Sequence, residues 1–144
     1  MKLRTILFAE DNPADIELTW EALKINDIAN RIVLVDDGLE ALDYLSCEGI
    51  DTIRKPGNAG LILLDLNMPR MDGLEFLSIV KKDIRFKRIP VILLTASREE
   101  EHLIKAYNLG VNAYIVKPLN FTSLLEVVKR IGIYWATINE LPSE

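Results

Sequence analysis

Five short apolar runs recur along this chain, and each stops at a polar residue or turn signal. Thr5–Ala9 runs into Glu10-Asp11-Asn12-Pro13, Arg31–Val35 into Asp36-Asp37-Gly38, and Gly60–Leu64 into Asp65. Ile89–Leu94 runs into Thr95-Ala96-Ser97, and Ala113–Val116 into Lys117-Pro118. Runs this short, rich in Leu, Ile and Val and without polar alternation, read as strands buried on both faces. Between them the apolar spacing changes to that of a helix. Asp15–Asn26 carries Ile16, Thr19, Trp20 and Leu23, Leu39–Cys47 carries Ala41, Leu42 and Leu45, and Leu74–Lys82 carries Leu74, Leu77 and Val80. Arg98–Leu109 places Leu103, Ala106, Tyr107 and Leu109 near one face and meets a stop at Gly110. The longest helical stretch is Phe121–Ile138.

A strand followed by a helix, repeated with short links, demands right-handed crossovers and a parallel sheet covered on both faces. The expected fold is α/β: a doubly wound five-stranded parallel sheet of order 2-1-3-4-5, the flavodoxin-like (βα)5 arrangement. The 144 residues suit one domain, with a core from about residue 4 to 131 and a C-terminal extension over 132–144. The irregular stretch Glu48–Ala59, with Pro56-Gly57-Asn58, reads as a surface insertion before the third strand.

Composition removes several function classes. The net charge of −5 gives no basis for nucleic-acid binding. Cys47 is the only cysteine, so neither an intrachain disulfide nor a cysteine-built metal site is available, and it reads as a small packing residue. No apolar stretch approaches the roughly 18 residues of a membrane span, and Ile6–Ala9 is too short for a signal-peptide core, so a cytoplasmic protein is expected.

The chemistry lies where the runs stop. In an open α/β sheet ligands bind beyond the carboxyl ends of the strands, at the switch in strand order. Strands 1 and 3 flank that switch, so Glu10, Asp11 and Asp65 converge there. Carboxylates that close raise one another's pKa unless a cation sits among them. An all-oxygen cluster suits Mg²⁺ or Mn²⁺. Thr95 ends strand 4 and Lys117 follows strand 5, so a hydroxyl and an ammonium face the acids. That set complements a phosphoryl group on one of the carboxylates. Any one of these residues alone is an ordinary loop residue or helix cap; their common sheet edge carries the signal.

The motifs Ala-Glu-Asp-Asn (9–12), Leu-Leu-Asp-Leu-Asn-Met-Pro (63–69) with Met-Asp-Gly (71–73), Pro-Val-Ile-Leu-Leu-Thr-Ala (90–96) and Gly-Val-Asn-Ala-Tyr-Ile-Val-Lys-Pro (110–118) resemble, in order and spacing, the receiver domain of two-component response regulators. The resemblance spans Arg4 to about Ile131. It implies that Asp65 is the phosphoacceptor and that Glu10, Asp11, Asp65 and the backbone carbonyl of Asn67 hold the metal. It also implies that Thr95 and Lys117 meet the phosphoryl group. Thr95 would move toward that group, vacate space near Ala96, and let the switch aromatic Tyr114 turn inward. A cis Lys117-Pro118 bond and a sensor histidine kinase as phosphodonor are further implications. The insertion at 52–59 and the tail Tyr134–Pro142 are similar to small regulators partnered with bacterial phytochrome kinases. Only about a dozen residues follow the core and they are not basic, so the output is expected to be a protein contact.

Two other readings share the fold. A haloacid-dehalogenase-type phosphatase wants an Asp two residues beyond its nucleophile, and Asn67 stands there. A flavodoxin-like electron carrier needs a phosphate-binding loop after strand 1, and Glu10-Asp11-Asn12-Pro13 is acidic. His102, among Glu99, Glu100 and Glu101, is expected to be exposed, Met68 and Met71 to pack near the phosphorylation loop, and Trp20 to be at least half-buried. Ile133, Tyr134, Trp135 and Ile138 are either folded back on the sheet edge or an exposed patch. As a patch they point to a homodimer through helix 4, strand 5 and helix 5.

Overall fold

The structure, a computed structural model, describes residues 5–26, 32–46, 59–118, 120–135 and 140. Strands and helices alternate: β1 (Ile6–Ala9), α1 (Pro13–Ile25), β2 (Ile32–Val35), α2 (Gly38–Ser46), β3 (Leu61–Leu64), α3 (Gly73–Val80), β4 (Val91–Thr95), α4 (Glu100–Asn108), β5 (Ala113–Val116) and α5 (Phe121–Ile133). All pairings are parallel and the order is β2-β1-β3-β4-β5, as expected. Ala9 lies level with both Val35 and Leu64, so Glu10 and Asp65 leave the sheet side by side.

Alternate strand residues point to opposite faces and feed two cores. Leu7, Ile62, Leu64, Val91 and Leu93 pack with Leu45 of α2, Phe76 and Leu77 of α3 and Ala106 of α4. Ile6, Phe8, Leu61, Leu63, Ile92 and Leu94 pack on the other face against Ile131 of α5. Ala22, Leu23, Leu124 and Val128 then join α1 to α5. Each buried Leu, Ile, Val or Phe among them contributes about 1.5–3 kcal/mol by burial. Truncating the fully buried Phe76 to Ala would cost about 3–5 kcal/mol.

Local chemistry moves several boundaries. Helix α1 starts at Pro13, ahead of the expected Asp15. The Asn12 Oδ1 accepts the amides of Ala14 (3.0 Å) and Asp15 (3.1 Å), and Pro13 needs no partner at the first helical position. Asn12 rather than Asp11 therefore caps the helix, and the Asp11 carboxylate is left for the crevice. Strand β4 begins at Val91 rather than Ile89: Pro90 has no N–H to give the ladder, and Ile89 N–H closes a turn on Phe86 O at 3.0 Å. Helix α4 begins at Glu100 rather than Arg98, since Ser97 Oγ accepts the Glu99 amide at 3.3 Å and holds that stretch in a turn. Tyr107 points outward, and Ala106 is the buried residue of α4.

Helix α5 ends at Ile133 and a wider turn continues it over Tyr134 and Trp135; Ile138 lies outside the described residues. The extension divides between its two readings, with Trp135 packed on the core beside β5 and Ile133 and Tyr134 about half exposed. Cys47 and residues 48–58 of the expected insertion also lie outside the described residues. Trp20 is half-buried, and Met68 and Met71 pack against the larger core, as expected.

Candidate functional site

The register of β1 and β3 brings three carboxylates together. Glu10 is fully buried, Asp65 is nearly so and Asp11 is exposed. One oxygen of each lies within 4.8 Å of the others. The backbone carries Glu10 there through its N–H to Val35 O (3.1 Å), and Asp65 through its N–H to Ala9 O (3.1 Å). The loop after β3 folds tightly at Gly73, whose N–H donates to Leu66 O at 2.8 Å. A Cβ on Gly73 would lie 2.4 Å from the Asp65 carbonyl oxygen, so no larger residue lets α3 start this close to the aspartate.

Lys117 reaches the acids from the end of β5. Its Nζ donates to Glu10 Oε1 at 2.6 Å and to Asp15 Oδ2 at 3.0 Å, and lies 3.9 Å from Asp65 Oδ1. Its backbone N–H donates to Thr95 O at 2.8 Å. The expected cis bond is absent: among the described residues no peptide bond is cis, so Lys117-Pro118 is trans, and the flexible lysine side chain reaches the acids without that bend.

The electrostatics follow from burial. Burial pushes the Glu10 carboxyl up from 4.5 to about 7; the Lys117 hydrogen bond offsets part of that, and the Asp65 charge adds to it. Burial works against the Lys117 ammonium too, but Glu10, Asp65 and Asp15 outweigh it and hold its pKa above the ordinary lysine value. One ammonium faces four carboxylates. This acid-rich, all-oxygen donor set fits a hard divalent cation. The site opens into a cavity of about 450 Å³ lined by Asp11, Asp15, Asp65, Asn67, Thr95 and Lys117, with Ala96 at its edge.

Ser97 ties together the loop after β4. Its N–H donates to Thr95 Oγ1 (3.3 Å), its carbonyl accepts the Tyr114 hydroxyl (3.0 Å), and its Oγ is hydrogen-bonded to His102 Nδ1 (2.8 Å). The Tyr114 ring already rests against the larger core. His102 is half-buried rather than exposed, because that bond turns it onto the loop. On the opposite side of the crevice the Arg70 Nε donates to the buried Asp37 at 2.8 Å and links the loops after β2 and β3. Arg70 adopts φ 60°, a left-handed conformation costly for a side chain and retained here by that ion pair.

Every sequence-predicted site residue except Tyr114 lies at the crevice: Glu10, Asp11, Asp65, Asn67, Thr95, Ala96 and Lys117. Tyr114 stands behind it, joined through Ser97. Sequence reasoning missed Asp15. Its available signal was its place in the first turn of a helix that starts at this same sheet edge.

A family model described as the response regulator receiver domain matches residues 6–129. The response regulator Rcp1 of Synechocystis is 38% identical over 140 residues, spanning 97% of this chain and 94% of that protein. The structure of Rcp1 in its Mn²⁺-bound form covers 97% of this chain and 99% of its own, with a TM-score of 0.86. The phosphorylated cyanobacterial phytochrome response regulator RcpA is 42% identical, with a TM-score of 0.89 over 99% of this chain and 100% of its own. The bacteriophytochrome response regulator AtBRR is 46% identical, with a TM-score of 0.75 over 97% of this chain and 100% of its own.

Proposed function

The chain belongs to the response regulator receiver family, is homologous to phytochrome response regulators, and on that premise we propose that Asp65 accepts a phosphoryl group from the phosphohistidine of a sensor kinase, a phytochrome in particular. The observation that carries this is the convergence of Glu10, Asp11, Asp65 and Lys117 at one end of the sheet. An Asp65 carboxylate oxygen attacks phosphorus, the new O–P bond forms as the P–N bond breaks, and the imidazole leaves. Lys117 stabilises the negative charge on the phosphoryl oxygens, and Thr95 donates its hydroxyl to one of them. Glu10, Asp11, Asp65 and the Asn67 carbonyl would hold Mg²⁺ or Mn²⁺, which would supply neutralising positive charge. The acyl phosphate is later hydrolysed in the same crevice.

The output is a change of surface. When Thr95 Oγ1 turns to a phosphoryl oxygen it gives up the bond from Ser97 N–H. Ser97 also holds Tyr114, so the loop, Ala96 and the face of α4, β5 and α5 respond together. One charge-assisted hydrogen bond, about 1.5–3 kcal/mol, is sufficient to shift a two-state equilibrium about tenfold or more. That face carries Ile104, Tyr107, Ile133 and Tyr134, each about half exposed, beside the sheet-edge strand β5. A two-fold homodimer through it is the proposed assembly. As a receiver domain it is proposed to act in the cytoplasm. Among the described residues no helix is long and apolar enough to cross a membrane. Neither the phosphatase nor the electron-carrier reading is favoured, given Asn67 two residues beyond Asp65 and the acidic turn after β1.

Acetyl phosphate or a phosphorylated kinase should label the protein only when Mg²⁺ or Mn²⁺ is present. Labelling of Asp65→Asn at the wild-type level would remove the assignment. Thr95→Ala should accept the label and signal weakly. Sedimentation of the wild type against Tyr107→Ala/Tyr134→Ala, with and without beryllofluoride, tests the dimer. A wild type monomeric at high micromolar concentration in both states would exclude it.

A further inference from the structure

Asp15 stands outside the cluster of Glu10, Asp11 and Asp65, yet it reaches the crevice. It sits in the first turn of α1, where Asn12 Oδ1 accepts its backbone N–H and anchors that turn. Its Oδ2 accepts a hydrogen bond from Lys117 Nζ at 3.0 Å, a contact across 102 residues of chain. Accepting the phosphoacceptor reading of Asp65, we propose that Asp15 is a positioning residue that holds the Lys117 ammonium ready for a phosphoryl oxygen on Asp65.

An ammonium has three N–H donors. Glu10 and Asp15 take two of them at 2.6 and 3.0 Å. The Asp65 Oδ1 lies 3.9 Å from Nζ, too long for a hydrogen bond. A phosphoryl oxygen built outward from that carboxylate comes within range of the third N–H while the other two stay in place. A lysine on four methylenes otherwise samples many rotamers, and two anchors at once remove most of that freedom before the phosphoryl group arrives. Glu10 belongs to the acids that suit a divalent cation, and a carboxylate engaged by a metal is a weaker acceptor for Lys117. Asp15 is not among those acids, so its hold on Lys117 persists when the cation is bound.

The Asp15 side chain is about one-third exposed, at 36%, so its effect is smaller than that of a buried partner. Asp15→Ala should lower the rate of labelling by acetyl phosphate at limiting donor about three- to tenfold, and weaken beryllofluoride capture, read by fluorine NMR, in the same ratio. Asp15→Asn keeps an acceptor oxygen without the charge and should fall between. Mn²⁺ affinity, read by electron paramagnetic resonance, should change less than twofold in either variant. In a Lys117→Ala background the Asp15→Ala change should have no further effect on labelling, since the residue acts through the lysine. Equal labelling and beryllofluoride capture by wild type and Asp15→Ala would overturn the inference. So would an Asp15→Ala defect that persists undiminished without Lys117, which marks a direct or structural role. A wild type that takes up neither label nor beryllofluoride would instead remove the phosphoacceptor reading, and this inference with it.

Discussion

Replacing Glu10 by Gln should flatten the pH dependence of folding between about pH 4.5 and 7. The Glu10 carboxyl has no exposed surface and its pKa stands at about 7 against an ordinary 4.5. At 1.36 kcal/mol per pKa unit, that rise corresponds to about 3 kcal/mol. The folded pKa lies above the unfolded one, so the folded state holds the proton more tightly. Its stabilisation is full below the unfolded value of 4.5 and is lost as pH rises through about 7. In a chelating buffer, urea unfolding of the wild type should therefore show stability falling by up to about 3 kcal/mol from pH 4.5 to 8. Glu10→Gln, neutral throughout, should lack that fall and be the more stable protein at pH 8. Saturating Mn²⁺ should reverse the wild-type trend, because a metal binds the deprotonated carboxylate and stabilises by mass action. If wild type and Glu10→Gln run parallel from pH 5 to 8 without metal, burial is not what governs this carboxylate.

Gly73→Ala should destabilise by about 1–3 kcal/mol and slow labelling at Asp65, because the new Cβ meets the Asp65 carbonyl at 2.4 Å; denaturant unfolding and acetyl phosphate labelling check both. Asn12→Ala removes the cap of α1 and should cost about 1 kcal/mol, measured by the same unfolding. Burial pushes the Asp37 carboxyl up, but the Arg70 hydrogen bond, backbone amides and the Arg70 charge together hold it below the ordinary 3.8. Its contribution is thus present above pH 3.8 and lost as pH falls through the lower folded value, and Arg70→Ala should diminish that acid-side loss in an unfolding titration.

The sequence by itself determined the order of elements, the parallel sheet and its 2-1-3-4-5 order. Repeated short apolar runs and helical spacing leave few other ways to bury the chain, and right-handed crossovers remove most of those. It also determined that Glu10, Asp11, Asp65, Thr95 and Lys117 share an edge, because strand ends in a parallel sheet all emerge on one side. Tertiary structure decided what those groups touch. Side-chain reach across 102 residues joins Lys117 to Asp15, and no local pattern encodes a contact at that separation. It decided which of two neighbouring acceptors caps α1: Asn12 takes the first-turn amides, and Asp11 is left to the crevice. It decided that His102 folds onto Ser97 and that Tyr107 faces outward, since a short helix with mixed polarity has no face until the sheet chooses one. And it decided that Trp135 packs while Tyr134 stays half exposed, because only the position of β5 says where the last turn of α5 runs out of sheet to cover.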